Sequence, residues 1–336
     1  MNLFPIHPEP LAPTSIDSSS ALQFVINEAA GSSDADAKRA VIEAALRAAG
    51  RRADLLFSRP ADLAGVTQQA AIRAQANRTA VVAVGGDGTL NTVAQAAHAV
   101  GCAMGVVPQG TFNYFARTHG IPSDPAEAVR LLLDWAPRPV QVAAVNDRIF
   151  LVNASVGLYP ELLEDREAYK ARFGRSRWVA LWAAGNTLLR AQRQLRLHIE
   201  QGLVARDVRT LTLFVGNNRL QLERLGVQPQ MQAQGGVLPA FGSGHITAVM
   251  LRPIGTLSMI RLMLHGAMGT LGEAQSAERF EFDHMVVRPT LVPGRRGVKV
   301  AFDGEVMRMR APLDFRVLAK PLHLLMPGPT DGAVSP

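Results

Sequence analysis

Two different rhythms of apolar and polar positions divide this chain. Up to about residue 138, short apolar runs alternate with segments whose apolar residues recur every three to four positions. The runs Leu22–Asn27, Asp54–Ser58, Val81–Val84 and Met104–Val107 predict buried strands. Between them, 37–49 carries Val41, Ile42, Ala45 and Leu46 on one helical face and stops at Gly50. Further helices are predicted over 63–76, from the end of the third strand to about Val100 (Leu90, Val93, Ala94, Ala97), and over 125–133. This β-α-β-α order predicts an α/β N-terminal domain with a doubly wound, mostly parallel sheet, and ligands outside the carboxyl ends of its strands. From Val140 the rhythm changes. Strand-like runs follow at 140–145, 149–152, 195–199, 208–215, 246–251, 280–287, 298–302 and 315–318, with helical stretches only near 162–189 and 257–268. Many short strands predict a β-rich C-terminal domain, a sandwich. The expected limits are a tail at 1–20, a first domain at 21–138, a second at 139–319, and a frayed end at 328–336.

The third strand runs into Gly85-Gly86-Asp87-Gly88-Thr89-Leu90-Asn91. A strand, a glycine-rich turn and a helix let backbone approach a ligand closely, and the helix start offers unpaired N–H groups that favour phosphate. Asp87, a carboxylate among such groups, calls for a cation. Two readings stand on these residues alone: a metal–nucleotide site, or a structural strand-to-helix turn. No Gly-Lys-Ser/Thr follows, so this is not a Walker A loop. From Gly86 the third position of a dinucleotide fingerprint holds Asn91, so it is not that either. In a doubly wound sheet Asn27, Ser58, Gly85–Asn91 and the loop after Val107 all fall on one edge.

Composition narrows the options. With 336 residues, 48% hydrophobic and 19% charged, the chain suits two globular domains. A single cysteine, Cys102, excludes an internal disulfide and any multi-cysteine zinc site, and the eight histidines lack His-Glu-x-x-His spacing. The net charge is +7, and only four of the 35 basic residues are lysine. Charge of this sign suits an anionic membrane, nucleic acid or a phosphorylated substrate, but no aromatic-basic nucleic-acid motif accompanies it. No signal peptide is seen, and Trp178–Leu189 is too short and interrupted to span a bilayer. A cytoplasmic protein is expected, with peripheral contact at the inner membrane face as an open option. That option rests on Arg166, Lys170, Arg172, Arg175 and Arg177 ahead of Trp178, Leu181 and Trp182, with Arg190, Arg193 and Arg196 after them. A core-packed helix with a solvated basic face explains the same pattern.

After the glycine turn come Pro108-Gln109-Gly110-Thr111-Phe112-Asn113-Tyr114-Phe115-Ala116-Arg117 and then Gly120-Ile121-Pro122. The two motifs, in this order and spacing, resemble the catalytic domain of the diacylglycerol kinase family, shared by bacterial lipid kinases and sphingosine kinases. NAD kinases and phosphofructokinases are more distant relatives. The resemblance implies an ATP- and Mg²⁺-dependent kinase acting on a lipid hydroxyl, diacylglycerol first among acceptors. It implies nucleotide contacts from Asn27, Gly31, Ser58, Gly85, Gly86, Asp87, Gly88, Thr89, Leu90, Asn91, Gly110, Thr111 and Asn113. It also implies catalytic roles for Asp87 and for Glu305 of Phe302-Asp303-Gly304-Glu305, the latter as proton acceptor. An antiparallel second domain across an active-site cleft is implied, with 320–327 returning to the first domain. The residues that would hold the metal are left open, as is a homodimer. Where the family often has aspartate this chain has Tyr114 and Gln141, and its metal-holding Asp-Asp-Gly-x-x-Asp loop aligns with Gly242-Ser243-Gly244-His245-Ile246-Thr247, where no metal is expected. A non-catalytic nucleotide- or lipid-binding module and an NAD kinase-like enzyme remain as alternatives.

Overall fold

The computed structural model describes residues 16–30, 35–110, 112–157, 195–217, 244–251, 277–290 and 297–326. Among these, contacts divide the chain into two units. One is built from residues up to Val142 and from Leu318 onward, the other from Ala143 to Val317.

The first unit runs β1 (Leu22–Asn27), α1 (Ala35–Ala48), β2 (Ala53–Ser58), α2 (Leu63–Ala76), β3 (Ala80–Gly85), α3 (Asp87–Val100) and β4 (Ala103–Pro108). A short α4 (Tyr114–Thr118), α5 (Pro125–Leu132) and β5 (Ala136–Val140) follow, and β18 (Leu322–Met326) completes it. The strand order is β2-β1-β3-β4-β18-β5. All neighbours are parallel except β18 and β5, which pair antiparallel. β3 and β4 are buried along their whole length, so they read as unbroken apolar runs, as strands covered on both faces must. Helices pack in two pairs, α2 with α3 and α1 with α5. Their ends follow local rules. The Asp124 carboxylate accepts the Glu127 N–H (2.8 Å) with Pro125 as first helical residue of α5, and α3 stops at Gly101 in the left-handed region.

The second unit holds two six-stranded sheets. One has the order β10 (Val204–Thr210), β9 (Leu195–Gln201), β14 (His284–Pro289), β17 (Leu313–Val317), β6 (Ala143–Val145) and β7 (Arg148–Phe150). The other runs β13 (Ala277–Phe282), β12 (Ile246–Leu251), β11 (Thr212–Gly216), β8 (Asn153–Gly157), β15 (Val298–Phe302) and β16 (Glu305–Met309). Every pairing recorded within them is antiparallel. One core joins the two: Phe150, Leu197, Ile199, Met285, Val287 and Phe315 from the first sheet pack with Val156, Leu213, Val215, Ala248, Met250 and Val300 from the second. This is the sandwich expected from the strand pattern. Alternation is clear in β14, where Met285, Val287 and Pro289 are buried while His284 and Arg288 are exposed.

Several expected elements need correction. The run 208–215 is two strands, because the chain leaves one sheet at Leu211 and enters the other, and 280–287 breaks in the same way at Asp283. An unbroken β pattern carries no mark of such a corner. The run 140–145 is split between β5 and β6, which belong to different units. β5 itself, Ala-Pro-Arg-Pro-Val, was hidden by its prolines, which an edge strand tolerates. β16 and the short α4 were not expected. Asp17 to Ser20, assigned to the tail, form a turn tied to the body by the Asp17 N–H to the Arg78 carbonyl (2.9 Å). The helical stretches at 162–189 and 257–268 lie outside the described residues, as do Gly31, Thr111, Gly242 and Ser243.

Candidate functional site

The carboxyl ends of β1, β2, β3 and β4 bring together most of the residues singled out in the first unit. Asn27 closes β1, and its amide donates to the Thr89 hydroxyl in the first turn of α3 (2.9 Å), 62 positions away. Its own Oδ1 accepts the Ala29 N–H (3.0 Å), fixing the turn after β1. Ser58 pairs with Asn27 in register across β2 and β1. It is buried, and its hydroxyl donates to the Arg59 carbonyl (3.0 Å).

Gly85 ends β3 and Gly86 caps α3. Space requires the first of these glycines and leaves room at the second. A Cβ at Gly85 would stand 2.6 Å from the Thr89 Cβ, and one at Gly86 would lie 3.4 Å from the Gly110 Cα. At Gly110 a Cβ would meet the Asn113 Oδ1 at 2.7 Å and the Gly86 Cα at 3.0 Å. The turns after β3 and β4 therefore touch backbone to backbone, and the Gln109 N–H reaches across to the Gly85 carbonyl (2.8 Å). Asn113 locks the second turn. In the left-handed region (φ 49°), it accepts the Gly110 N–H and returns its own amide to the Gly110 carbonyl, both at 2.9 Å. Asn is among the few side chains that adopt this conformation readily.

Within α3, Asp87 and Gly88 are half-buried at the helix start. Leu90 is fully buried and its N–H donates to the Gly86 carbonyl (3.0 Å), so it anchors the helix in the core. Asn91 is buried too. Beyond Gly110 the ring of Phe112, exposed to solvent, stacks on Tyr114 with centroids 5.6 Å apart and planes 5° from parallel. Behind them His119 meets Phe115 edge-on, and burial pushes its imidazole down to about 4, so it is neutral at physiological pH.

Glu305 belongs to the second unit, as the first residue of β16. Asp303 and Gly304 form the two-residue turn between β15 and β16, with φ values of 45° and 89° and Phe302 facing Glu305. Asp-Gly with both residues at positive φ is the favoured chemistry for such a hairpin. Burial first, and the like charge of Asp303 second, push Glu305 above the usual carboxylate range, while the Arg148 guanidinium opposes them. The residue surface is nevertheless exposed, so water screens the effect. Asp303, given no role from the sequence, is a buried anchor. It is 4% exposed, and its carboxylate accepts the N–H groups of Leu151 (2.7 Å), Val152 (2.8 Å) and Asn153 (3.1 Å). The available signal was the Asp-Gly pair itself, which demands a tight turn but says nothing of what the aspartate holds.

Among the described residues no group of three or more His, Cys, Asp or Glu side chains could hold a metal ion, and no helix is long and apolar enough to cross a membrane. Of the basic residues in the tryptophan-bearing stretch from Arg166 to Arg196, Arg196 lies exposed in β9 and the others lie outside the described residues.

Residues 21–145 match the diacylglycerol kinase catalytic domain. The chain is 39% identical over 104 residues to a "Probable lipid kinase YegS-like" protein of Klebsiella pneumoniae (strain 342), covering 30% of this chain and 35% of the relative. A relative of the same description from Pseudomonas syringae pv. tomato (strain ATCC BAA-871 / DC3000) is 27% identical over 265 residues, covering 76% of this chain and 77% of its own. In three curated relatives of this kind the aligned stretch spans 26% to 35% of the relative's own length. A crystal structure of a diacylglycerol kinase from Bacillus anthracis str. Sterne shares the fold, with a TM-score of 0.62 at 16% identity, over 91% of this chain and 97% of that one.

Proposed function

We propose that this protein is an ATP-dependent lipid kinase that transfers the γ-phosphoryl group to a lipid hydroxyl, with diacylglycerol as the leading acceptor. The observation that carries the reading is the contact between the Gly85–Gly86 and Gly110 turns at the start of the 14-residue helix α3. Two backbone surfaces stripped of side chains, beside the positive end of a helix dipole, suit a polyphosphate. The Asn27–Thr89 bond steadies the same helix turn. Gly31 and Thr111 extend the nucleotide contacts in this reading. Asp87 suits a Mg²⁺ that arrives with the nucleotide, since that ion keeps several waters and needs only one or two protein carboxylates. Bound there, the ion would neutralise phosphate charge.

Phosphoryl transfer asks the protein mainly for positioning and electrostatics. In this reading Glu305, deprotonated, accepts the proton of the lipid hydroxyl as its oxygen bonds to the γ-phosphorus and the bond to the leaving ADP oxygen breaks. Contact with an anionic membrane through the basic stretch from Arg166 to Arg196 belongs to the same proposal.

The test is purified protein with labelled ATP·Mg²⁺ and a panel of diacylglycerol, sphingoid bases, ceramide and NAD. A labelled diacylglycerol product supports the reading, and another labelled lipid changes only the acceptor. Label on NAD transfers the protein to the NAD kinases. Saturable ATP binding without transfer to any of them leaves a non-catalytic module and refutes the enzyme.

A further inference from the structure

Consecutive N–H groups at a chain corner need partners, because buried backbone donors left unpaired cost as much as a lost hydrogen bond. At the corner between β7 and β8 each of these groups has a partner. The N–H groups of Leu151, Val152 and Asn153 all go to the Asp303 carboxylate, about 150 positions away. The Leu151 carbonyl accepts from the Asn217 side-chain amide (3.2 Å) and the Val152 carbonyl from the Asn217 N–H (2.9 Å). The Asn153 carbonyl accepts the Asp303 N–H (3.0 Å), so Asp303 holds the corner through both its side chain and its backbone. Successive N–H groups that converge in this way form an anion-binding concavity, here filled by a residue of the chain itself.

We infer that Asp303 is the positioning residue for Glu305: its buried carboxylate, bonded to three consecutive N–H groups of the β7–β8 corner, anchors the hairpin tip from which Glu305 projects. That Glu305 acts as a base rests on the reading proposed above; the anchoring does not. Asp303 turns its carboxylate inward, onto backbone, where three N–H groups hold it. The left-handed backbone at Asp303 and Gly304 makes the turn short and stiff, leaving one residue between anchor and Glu305. The anchor also sets the charge around Glu305. Asp303 acts on it from the turn and Arg148 from β7, with opposite signs.

Two measurements test this without relying on turnover. Hydrogen exchange, read by NMR with selective ¹⁵N-leucine, valine and asparagine labels, should find the Leu151, Val152 and Asn153 amides as protected as those within β8. Exchange at the rate of an open turn overturns the anchor, and this arm needs no variant. Asp303→Asn keeps the shape but replaces one acceptor oxygen with a donor. It should speed exchange at Leu151 roughly tenfold or more, as expected when a charge-assisted bond is lost. The ¹³C carboxyl titration of Glu305 should move to lower pH in the variant, because a like charge is removed. Faster exchange with an unmoved Glu305 titration reduces Asp303 to a structural role and overturns the positioning. If both shifts occur while the wild-type protein phosphorylates none of the panel, the inference stands and the kinase reading fails.

Discussion

Replacing Gly110 with alanine puts a methyl group into the contact on which nucleotide binding is proposed to depend. Its Cβ would stand 2.7 Å from the Asn113 Oδ1 and 3.0 Å from the Gly86 Cα, where carbon pairs prefer about 3.5–4.0 Å. Asn113 can give way only by surrendering its paired bonds to Gly110, and Gly86 only by moving the start of α3. Overpacking of this kind costs about 1–3 kcal/mol. Loss of one of the two Asn113 bonds adds about 0.5–1.5 kcal/mol, so about 1.5–4.5 kcal/mol in all. For a unit of this size that lowers Tm by roughly 5–15 °C. Gly86→Ala is the matched control. Its Cβ would make an ordinary 3.4 Å contact with Gly110, on extended backbone (φ −87°, ψ −177°) that alanine accepts. That variant should melt within about 0.5 kcal/mol of wild type. Both should bind ATP·Mg²⁺ about tenfold more weakly or worse, a loss of about 1.4 kcal/mol, because both thicken the wall between the two turns. Thermal unfolding with and without nucleotide, and fluorescence titration of a labelled ATP analogue, read the two effects separately. Wild-type melting and wild-type affinity in Gly110→Ala would show that the turns do not meet as described, and equal destabilisation by Gly86→Ala would show that the spacing argument is wrong.

Glu305→Gln should fold and bind nucleotide as wild type while turnover falls about 100-fold or more, the usual size of a lost general base; near-normal turnover removes Glu305 from the chemistry. Since its carboxyl is held above the usual range, first by burial, and a base must be deprotonated, kcat should fall as pH drops through a value higher than that of an ordinary glutamate. A pH–rate profile flat across that region refutes the assignment. Asp87→Asn should raise the Mg²⁺ concentration needed for half-maximal activity, and an unchanged Mg²⁺ titration counts against its role. Leu324→Ala, in the fully buried middle of β18, should cost about 2–5 kcal/mol by denaturant unfolding, and a loss below 1 kcal/mol would mean that β18 is not an interior strand.

Much of the first unit is legible in the linear chain because its rules are local. Apolar runs, helical periodicity and Gly50 as a stop act within a few residues, and β1, α2 and β4 fall close to where those signals put them. The glycine turn is legible for the same reason, since a missing Cβ is visible in the residue name. The positions decided only by the folded molecule are those whose partners are distant. β5 and β16 need a neighbour strand to exist, and Leu211 and Asp283 become corners only because two sheets lie face to face. Asn27 finds Thr89 across 62 residues, and Asp303 finds the β7–β8 corner across about 150. A hydrogen bond depends on distance and angle in space, and sequence separation leaves both undetermined until packing brings the partners together.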